Sequence, residues 1–229
     1  MLINESPLGD GISKVELLDR MGSDLTVVNA ARVSMGKMST KLDERDEKLI
    51  NYLAKHGHWT PFSQPQLQFR IKMPIFVARQ WFKHQVGFTR NEISRRYVSD
   101  TPDLYHPKEW RAKADNVKQG SSNVIVDLYK AFENDPWKPY HPDGLARQAI
   151  LTYNMMILNG VCPEQARMVL PQSMYTEFVE TASLAAYARL AKQRLDTHAQ
   201  LEIRLYAEAI AKVLDTTFPH SWKALSNTY

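Results

Sequence analysis

The chain of 229 residues is 44% hydrophobic and 24% charged, the composition of an ordinary globular protein long enough to bury a full core. Its 29 Lys and Arg against 25 acidic residues give a net charge of +4, which suits anionic small molecules as readily as nucleic acid. The single cysteine, Cys162, excludes an internal disulfide, and the chain has neither a membrane-length apolar run nor the plan of a signal peptide, so we expect a soluble, cytoplasmic protein.

Strand and helix patterns alternate in the first part of the chain. Lys14–Leu18 predicts a short strand, and Asp24–Val33 predicts a helix with a Ser-Asp pair at its start to cap it. Asp43–His56 has the spacing of a second helix with one apolar stripe. Gln66–Lys72 alternates strictly between apolar and polar residues, which is typical of a strand with one buried face.

The middle of the chain begins with a helix and then becomes irregular. Pro74 stands where a helix can start, and Ile75–Gln85 continues with helical spacing. The stretch at about 100–142 contains five prolines around a predicted helix at Asn123–Phe132. We interpret this stretch as a variable excursion from a single domain that covers residues 1–229.

Helices dominate the last part of the chain. Gly144–Leu158 and Pro163–Val169 are predicted helices, and Ser173–Val179 is a predicted strand. Ala182–Thr216 contains neither Pro nor Gly and predicts one long helix. The fold class is therefore a mixed α/β (α+β) arrangement that is rich in helices.

The segment Arg79–Tyr97 (RQWFKHQVGFTRNEISRRY) is dense in phosphate-binding groups and aromatic rings. Helical spacing places Gln80, Lys83 and His84 on one face, although such a polar stripe is most often a solvent-facing surface. After Gly87 the chain brings together guanidiniums, a hydroxyl and backbone N–H groups, which together make a good phosphate cradle. The polar residues of this loop are Arg90, Asn91, Glu92, Ser94, Arg95 and Arg96.

A second cluster is the HGHWTPF segment at His56–Phe62. Its two histidines beside a tryptophan are compatible with a metal site, but no Cys or carboxylate pair lies nearby, so we expect no metal. Stacking of His58 or Trp59 on a flat ring is the favoured interpretation. The alternative is a capped turn with a buried tryptophan.

A third cluster lies on the predicted last helix, where Arg194, His198 and Glu202 share one stripe. A charged stripe most often faces solvent, but apolar residues surround much of this helix, so we expect it to be buried. A buried arginine needs an anionic or carbonyl partner from the protein or from a ligand. Arg167 lies on the short helix that ends before Pro171.

Together these clusters resemble the flavin-dependent thymidylate synthases, the ThyX family. The matching motifs follow the family order and are spread along nearly the whole chain outside the Pro-rich excursion, and six of them in sequence are highly specific. They are VVNAARVS (27–34), HGHWTPF (56–62), PIFVARQWFKH (74–84), RNEISRRY (90–97), EQARMVLP (164–171) and RLDTHAQLEIRLYA (194–207).

The resemblance implies a ThyX-like fold with a small, mostly antiparallel sheet and a long C-terminal helix, assembled as a homotetramer with shared active sites. It implies methylation of dUMP at C5 to dTMP, with 5,10-methylenetetrahydrofolate as carbon donor and NADPH-reduced FAD as hydride donor. Neither nucleic acid nor a membrane is an expected partner. Cys162 has no basic neighbour to activate it, which agrees with a mechanism that needs no thiolate nucleophile.

The resemblance also implies roles for individual residues. Arg194 and Ser94 are the expected catalytic residues: Arg194 would bind a pyrimidine carbonyl and stabilise negative charge there, and Ser94 with Arg96 would take the phosphate. The expected dUMP-binding residues are Gln80, Lys83, Glu92, Ser94, Arg95, Arg96, Arg167 and Arg194. The expected FAD-binding residues are His58, Thr60, Lys83, His84, Gln85, Arg90, Asn91, Glu92, Arg189 and His198.

The signature loop departs from the family pattern of RHR, seven residues and then Ser. This chain has Lys83-His84-Gln85 followed by eight residues before Ser94. Lys83 keeps the positive charge but loses the bidentate fork of arginine, and Gln85 loses the charge. We hypothesise that Arg90, within the longer loop, replaces a missing guanidinium.

Ser183 and Arg189 also stand where the family carries asparagines. Two alternatives stay open, the first because of the altered KHQ loop and the second because of the basic loop with its aromatic residues. A related enzyme with the same FAD and folate pocket would modify another pyrimidine nucleotide, such as dCMP, or leave a hydroxymethyl group. A nucleic-acid-binding module would use the basic loop on phosphates and the aromatic rings for stacking.

Overall fold

The structure is a computed structural model that describes residues 4–115, 120–131, 133 and 141–228. Its strands are β1 (Asn4–Glu5), β2 (Lys14–Met21), β3 (Gln66–Pro74), β4 (Phe88–Glu92), β5 (Trp110–Lys113), β6 (Ser121–Val126) and β7 (Tyr175–Ser183). Its helices are α1 (Asp24–Arg32), α2 (Glu44–Lys55), α3 (Ile75–Trp81), α4 (Leu128–Ala131), α5 (Pro142–Leu158), α6 (Pro163–Ala166), α7 (Leu184–Arg194), α8 (Leu201–Thr217) and α9 (Pro219–Ser226). The mixed, helix-rich α/β class predicted from the sequence is confirmed. Among the described residues, no helix is long and apolar enough to cross a bilayer.

Five strands form one sheet in the order β1-β2-β3-β7-β4, and β1 pairs antiparallel with β2. The N–H of Leu184 donates to the carbonyl of Pro65 (3.1 Å), and that of Ile75 donates to the carbonyl of Met174 (2.9 Å). β3 and β7 therefore run antiparallel, although they are far apart in the chain. β5 and β6 form a separate antiparallel pair.

The chain divides into two compact units. The first unit contains Met1–Ile71, Gln80–Asn91 and Phe178–Tyr229, and the second contains Lys72–Arg79 and Glu92–Glu177. The cluster at Gln80–Asn91 thus belongs to the same unit as α7 and α8.

The core of the first unit is built on the alternation of β3. Leu67, Phe69 and Ile71 are fully buried, whereas Arg70 is exposed on the other face. Phe69 meets Tyr187 of α7 edge to face, with 5.4 Å between the ring centroids. Aromatic pairs prefer this geometry, which stabilises them beyond the apolar area that they bury. The strand pattern read from the sequence is confirmed, and its buried face packs on α7.

Asp24, the first residue of α1, contacts the C-terminal helix α9 within the first unit. Its buried carboxylate accepts hydrogen bonds from the N–H groups of His220 (3.2 Å) and Ser221 (2.9 Å) in the first turn of α9. The first N–H groups of a helix have no acceptor within it, so such a cap stabilises the helix start. Asp24 therefore holds the C-terminal helix against α1.

The single helix predicted over Ala182–Thr216 is wrong. Its first residues belong to β7, and the rest is divided into α7 and α8 by a break at 195–200. In the break the carboxylate of Asp196 accepts from the backbone N–H of His198 at 2.7 Å. An aspartate that bonds to nearby backbone in this way competes with helical hydrogen bonding. Arg194 and His198 consequently do not share a helical stripe.

Two other predicted helices change as well. α3 ends at Trp81 rather than Gln85, because the N–H of His84 donates to the Trp81 carbonyl (3.1 Å) in a tight turn. The helix at Asn123–Phe132 is wrong, since residues up to Val126 form β6 and only α4 is helical, while Phe132 lies outside the described residues. The β-branched run in β6 favours a strand once β5 is available to pair with it.

Candidate active site

The turn at residues 82–87 joins α3 to β4 and lies against α7. Gly87 has a φ of +83°, which only glycine adopts without strain. A Cβ at this position would lie 3.1 Å from the Cβ of Ala186. Arg189 donates from its Nη2 to the carbonyl of Val86 at 2.9 Å. A close backbone approach and a hydrogen bond therefore fix the 82–87 turn on α7.

Three sequence-predicted residues meet at the C-terminal end of α7. The Nε of Arg194 donates to Nε2 of His84 at 2.9 Å, and its Nη2 donates to the backbone carbonyl of Gln80 at 3.2 Å. The Gln80 side chain donates to the side chain of Gln200, in the break before α8. Nη1 of Arg194 has no acceptor among the described residues, so it is the group that remains for a ligand.

Burial and two cations keep the His84 ring neutral. Desolvation, followed by the charges of Arg194 and Arg90, lowers the pKa of His84 from 6.5 to about 4. A guanidinium can only donate, so Nε2 of His84 must be the acceptor and its proton must lie on Nδ1. Desolvation also lowers the pKa of Arg194 from its ordinary value. The cluster thus presents one cation beside an uncharged imidazole.

Behind this cluster lies a buried carboxylate, Glu180 of β7. It accepts hydrogen bonds from Nε1 of Trp81 (3.2 Å) and the hydroxyl of Tyr187 (3.1 Å), and it forms an ion pair with Nε of Arg90. Desolvation raises the pKa of Glu180, and the Arg90 charge opposes that rise. Burial likewise raises the pKa of Tyr187 well above its ordinary value.

Arg90 is enclosed by its own unit. Its guanidinium carbon lies 5.1 Å from the ring centroid of Phe82 and 4.6 Å from that of Phe88. Its Nη1 donates to the carbonyl of His84 at 2.7 Å, and its Nη2 is buried. The side chain is only 13% exposed. Nε and Nη1 of Arg90 thus face Glu180 and His84, and the hypothesis that Arg90 replaces a missing guanidinium stays a prediction.

A cleft of about 590 Å³ opens in the first unit beside the 82–87 turn. Its walls are mostly apolar, and its polar lining residues include His58, Thr228 and two exposed cations, Arg189 and Lys192. Trp59 is 60% exposed at this cleft, which overturns the alternative of a buried tryptophan. The lining residues are Leu53, Ala54, Gly57, His58, Trp59, Phe62, Val86, Ala185, Ala188, Arg189, Lys192, Leu225 and Thr228.

In the second unit, the loop after β4 carries Ser94. The Ser94 hydroxyl accepts from the backbone N–H and from Nε of Arg96, both at 3.3 Å. The Arg96 guanidinium lies 5.2 Å from the ring centroid of the exposed Tyr97. The loop thus presents a hydroxyl and an exposed guanidinium together, and its role as a phosphate cradle stays a prediction.

Arg95 and Glu92 face other partners within the second unit. Arg95 donates to the backbone carbonyl of Asp100 at 2.6 Å, and its side chain is 10% exposed. Glu92 accepts from the hydroxyl of the buried Thr176 at 2.5 Å. Arg95 therefore positions the loop in this structure, whereas Arg96 is the arginine that is open to solvent.

The comparison with protein families agrees with this geometry. A family model described as "Thymidylate synthase complementing protein" matches residues 16–220. A flavin-dependent thymidylate synthase of Thermus thermophilus is 39% identical over 215 residues, which is 92% of this chain and 74% of that protein. The chain belongs to the flavin-dependent thymidylate synthase family. The synthase of Thermotoga neapolitana is 37% identical over 92% of this chain and 89% of its own length.

A solved structure shares the fold of this chain. A UMP/dUMP methylase, PolB, from Streptomyces cacaoi, determined with 5-Br dUMP bound, has a TM-score of 0.78 and 27% sequence identity to this chain. The match covers 93% of this chain and 94% of the methylase. The ThyX-like fold expected from the motifs is therefore confirmed.

Some of the predicted FAD-binding residues line the cleft, and the others lie elsewhere. His58 and Arg189 line the cleft, and the 82–87 turn reaches it through Val86. The predicted residues Lys83, His84, Gln85 and Asn91 lie in the same unit, as does Thr60. His198 is 73% exposed in the break before α8, where Nδ1 lies 2.9 Å from Asp196. Of these residues, only His58 and Arg189 line the cleft itself.

The predicted dUMP residues are divided between the units. Gln80, Lys83 and Arg194 belong to the first unit. The second unit holds Glu92, Ser94, Arg95, Arg96 and Arg167. Arg167 is exposed in a 3-10 turn after α6 and donates from Nε to the carbonyl of Glu164 at 3.2 Å.

Sequence reasoning missed the residues that support the cluster. Glu180, Trp81 and Tyr187 were not candidates, and neither was Lys192 in the cleft. One signal was available for Glu180: it occupies an inward position of β7, two residues after the buried Phe178. A carboxylate at an inward strand position requires a partner, and that requirement identifies it as unusual.

Proposed function

We propose that this protein is a thymidylate synthase that methylates dUMP at C5 to give dTMP. Its carbon donor is 5,10-methylenetetrahydrofolate, and its reductant is FAD reduced by NADPH. The observation that carries the proposal is the Arg194–His84–Gln80 cluster in a chain whose match to the family spans residues 16–220. The relatives in this family are named flavin-dependent thymidylate synthases.

Arg194 has the geometry of a group that stabilises charge on the pyrimidine. Two of its nitrogens donate to His84 and Gln80, which fixes the plane of the guanidinium, and Nη1 has no acceptor in the part of the chain that the structure describes. A preorganised donor aimed at a carbonyl oxygen stabilises negative charge that develops there. The neutral ring of His84 accepts from Arg194 and adds no competing charge. No protein nucleophile is needed for this role.

The residues of the cleft fit FAD. A volume of about 590 Å³ lies within the ordinary range for cofactor pockets. Trp59 and His58 offer flat faces for a ring, and Arg189 and Lys192 offer cations for a pyrophosphate. When bound, FAD supplies the reducing equivalents for the reaction. The protein's contribution is to bind the ring, to pair with the phosphates and to exclude water from the apolar walls.

The loop of the second unit is proposed to bind the phosphate of dUMP. Ser94 offers a hydroxyl, and Arg96 offers an exposed guanidinium held beside it. A charge-assisted pair of this kind favours a phosphate over a neutral group. Arg167, on the surface of the same unit, is a further cation for the nucleotide.

A product assay tests the proposal. The purified protein is expected to be yellow, to release tritium from 5-labelled dUMP in the presence of methylenetetrahydrofolate and NADPH, and to give a product with the mass of dTMP. Colourless protein that binds DNA would instead support the nucleic-acid module. A product with the mass of a hydroxymethyl nucleotide, or turnover of dCMP alone, would support the related enzyme.

The likeness to PolB makes UMP a specific second substrate to test. That methylase is described as acting on both UMP and dUMP. Parallel assays with UMP and dUMP measure whether the ribose 2′-hydroxyl is accepted. We expect dUMP to be preferred, because the relatives at 37–39% identity are named thymidylate synthases.

We also propose that the protein is a cytoplasmic homotetramer in which each chain acts as one catalytic domain. Helix α5 exposes an apolar stripe at Leu151, Met155 and Leu158, which are 59%, 55% and 78% exposed. An exposed apolar stripe of this kind is typical of a subunit interface. Light scattering after size exclusion measures the mass, and Met155→Glu is expected to shift it toward smaller species.

A further inference from the structure

A buried ion pair lies next to the proposed active site and has no role in the chemistry assigned so far. Glu180 is fully buried, and its counter-charge is Arg90, within the signature loop that is longer than the family pattern. A buried ion pair is weak evidence for stability, because desolvation offsets most of the attraction. Its geometry therefore calls for another explanation.

Two guanidiniums hold one histidine from different sides. Nη1 of Arg90 donates to the backbone carbonyl of His84 at 2.7 Å, and Nε of Arg194 donates to its ring at 2.9 Å. The first contact fixes the main chain of His84, and the second depends on where that main chain places the ring. The two contacts are therefore connected through a single residue.

Arg90 is itself immobilised. Its Nε is paired with Glu180, and the rings of Phe82 and Phe88 lie 5.1 and 4.6 Å from its guanidinium carbon. Glu180 is oriented in turn by Trp81 and Tyr187. A planar fork enclosed in this way can donate in two fixed directions, which a flexible lysine cannot reproduce.

We propose that Arg90, locked by Glu180, is a positioning residue that fixes His84 against Arg194 and so directs Nη1 of Arg194 at the pyrimidine. The activity part of this inference rests on the proposed function. Residues that lock a site from behind are needed because small displacements of the donor weaken its effect on the reaction.

The test follows the His84 ring by NMR in protein labelled at histidine and purified with the flavin that it carries. The chain has seven histidines, and the His84 signal is assigned by its loss in His84→Gln. Arg90→Lys keeps the charge beside Glu180 but removes the fork. The pair Arg90→Leu with Glu180→Gln removes both charges, so that neither is left buried alone. Arg204→Leu, which breaks a partly exposed pair with Glu208, is the matched control.

In the wild type and in Arg204→Leu, the His84 signal is expected not to titrate above about pH 5. In Arg90→Lys, which keeps the charge, the His84 midpoint is expected to rise by about one pH unit or more, and kcat is expected to fall by about tenfold or more while the flavin is retained. The double variant is expected to show the same fall in kcat; its His84 midpoint also rises because the Arg90 charge is lost, so the titration is judged on Arg90→Lys. In Arg90→Lys, a purely structural role would lower the unfolding midpoint and leave the His84 titration unchanged.

Folded Arg90 variants with an unshifted His84 midpoint would overturn the inference and leave the proposed function intact. If the double variant does not fold, Arg90→Lys decides the matter by the same readout. A wild-type protein that makes no dTMP would overturn the proposed function, and the His84 titration would still decide whether Arg90 positions the ring.

Discussion

At the scale of single residues, Arg194 shows how surroundings turn a common side chain into a specific donor. Two of its three nitrogens donate to His84 and Gln80, and Nη1 has no acceptor among the described residues and is left for a ligand. The motif predicted that this arginine matters. It did not predict that the imidazole beside it would be neutral, because that property comes from burial and from the charges of Arg194 and Arg90, which only the fold brings to the ring.

Arg194→Lys should lower kcat strongly and change the stability of the folded protein much less. Lysine keeps the charge but cannot donate to His84, Gln80 and a ligand from one rigid plane. We expect kcat to fall by about a hundredfold, the typical effect of removing a preorganised donor. Steady-state kinetics with dUMP measures the change, and Arg204→Lys on α8 is the control. A kcat within about threefold of the wild type would contradict the role given to Arg194.

The His84 pKa predicts a pH dependence of stability. The folded-state pKa is about 4 against an ordinary value of 6.5, so between these values the unfolded chain binds a proton that the folded chain does not. The contribution of this group is therefore present above pH 6.5 and lost as the pH falls toward 4. Wild type should lose more free energy of unfolding than His84→Gln when urea titrations at about pH 7 and about pH 5 are compared. Equal losses in the two proteins would show that His84 titrates normally.

At the scale of elements, the 82–87 turn replaces the helix end that periodicity predicted. Helical spacing continues through Gln85, but the chain must reverse to enter β4, and Gly87 permits the reversal. Local pattern alone cannot show where a helix stops when the stop is imposed by a neighbour. Ala186 of α7 is that neighbour, and it is about a hundred residues away.

Gly87→Ala should destabilise the protein more than a matched glycine substitution. Gly160 has the same φ of +83° but has no atom within 4 Å of an added Cβ, whereas Gly87 faces Ala186 at 3.1 Å. Gly160→Ala is expected to cost about 1 kcal/mol for the left-handed backbone alone. Gly87→Ala adds an overpacking cost of about 1–3 kcal/mol. Urea unfolding of both variants measures the difference, and equal costs would exclude the close approach.

The break between α7 and α8 is explained by its hydrogen bonds and could not be predicted from composition. Ala182–Thr216 lacks Pro and Gly, so composition predicts an uninterrupted helix. The Asp196 carboxylate stabilises a turn instead, and the backbone N–H of His198 lowers its pKa. The helices and strands with clear periodicity, such as α2 and β3, were predictable because their pattern depends on one buried face.

At the scale of the whole molecule, binding of FAD should raise the thermal stability of the protein. A ligand that binds only the folded state stabilises it by mass action, by about 2.7 kcal/mol at a concentration of a hundred times its Kd. FAD added to flavin-free wild type should raise the Tm, and Lys192→Ala should reduce that rise because a cation of the cleft is lost. Lys212→Ala is the control, because Lys212 is an exposed lysine that pairs with Glu5. An unchanged rise in Lys192→Ala would show that this cleft does not bind the phosphates of FAD.

The sequence by itself determined the family, the helix-rich α/β class and the identity of Arg194, His84 and Ser94 as candidates, because motifs and short-range periodicity depend on neighbouring residues. The tertiary structure alone decided which donors remain free. Glu180 reaches Arg90 across ninety positions and Arg194 reaches His84 across one hundred and ten, and burial then sets their charges. Contacts at such separations depend on how β7 and α7 pack against the 82–87 turn, and no local pattern encodes that packing.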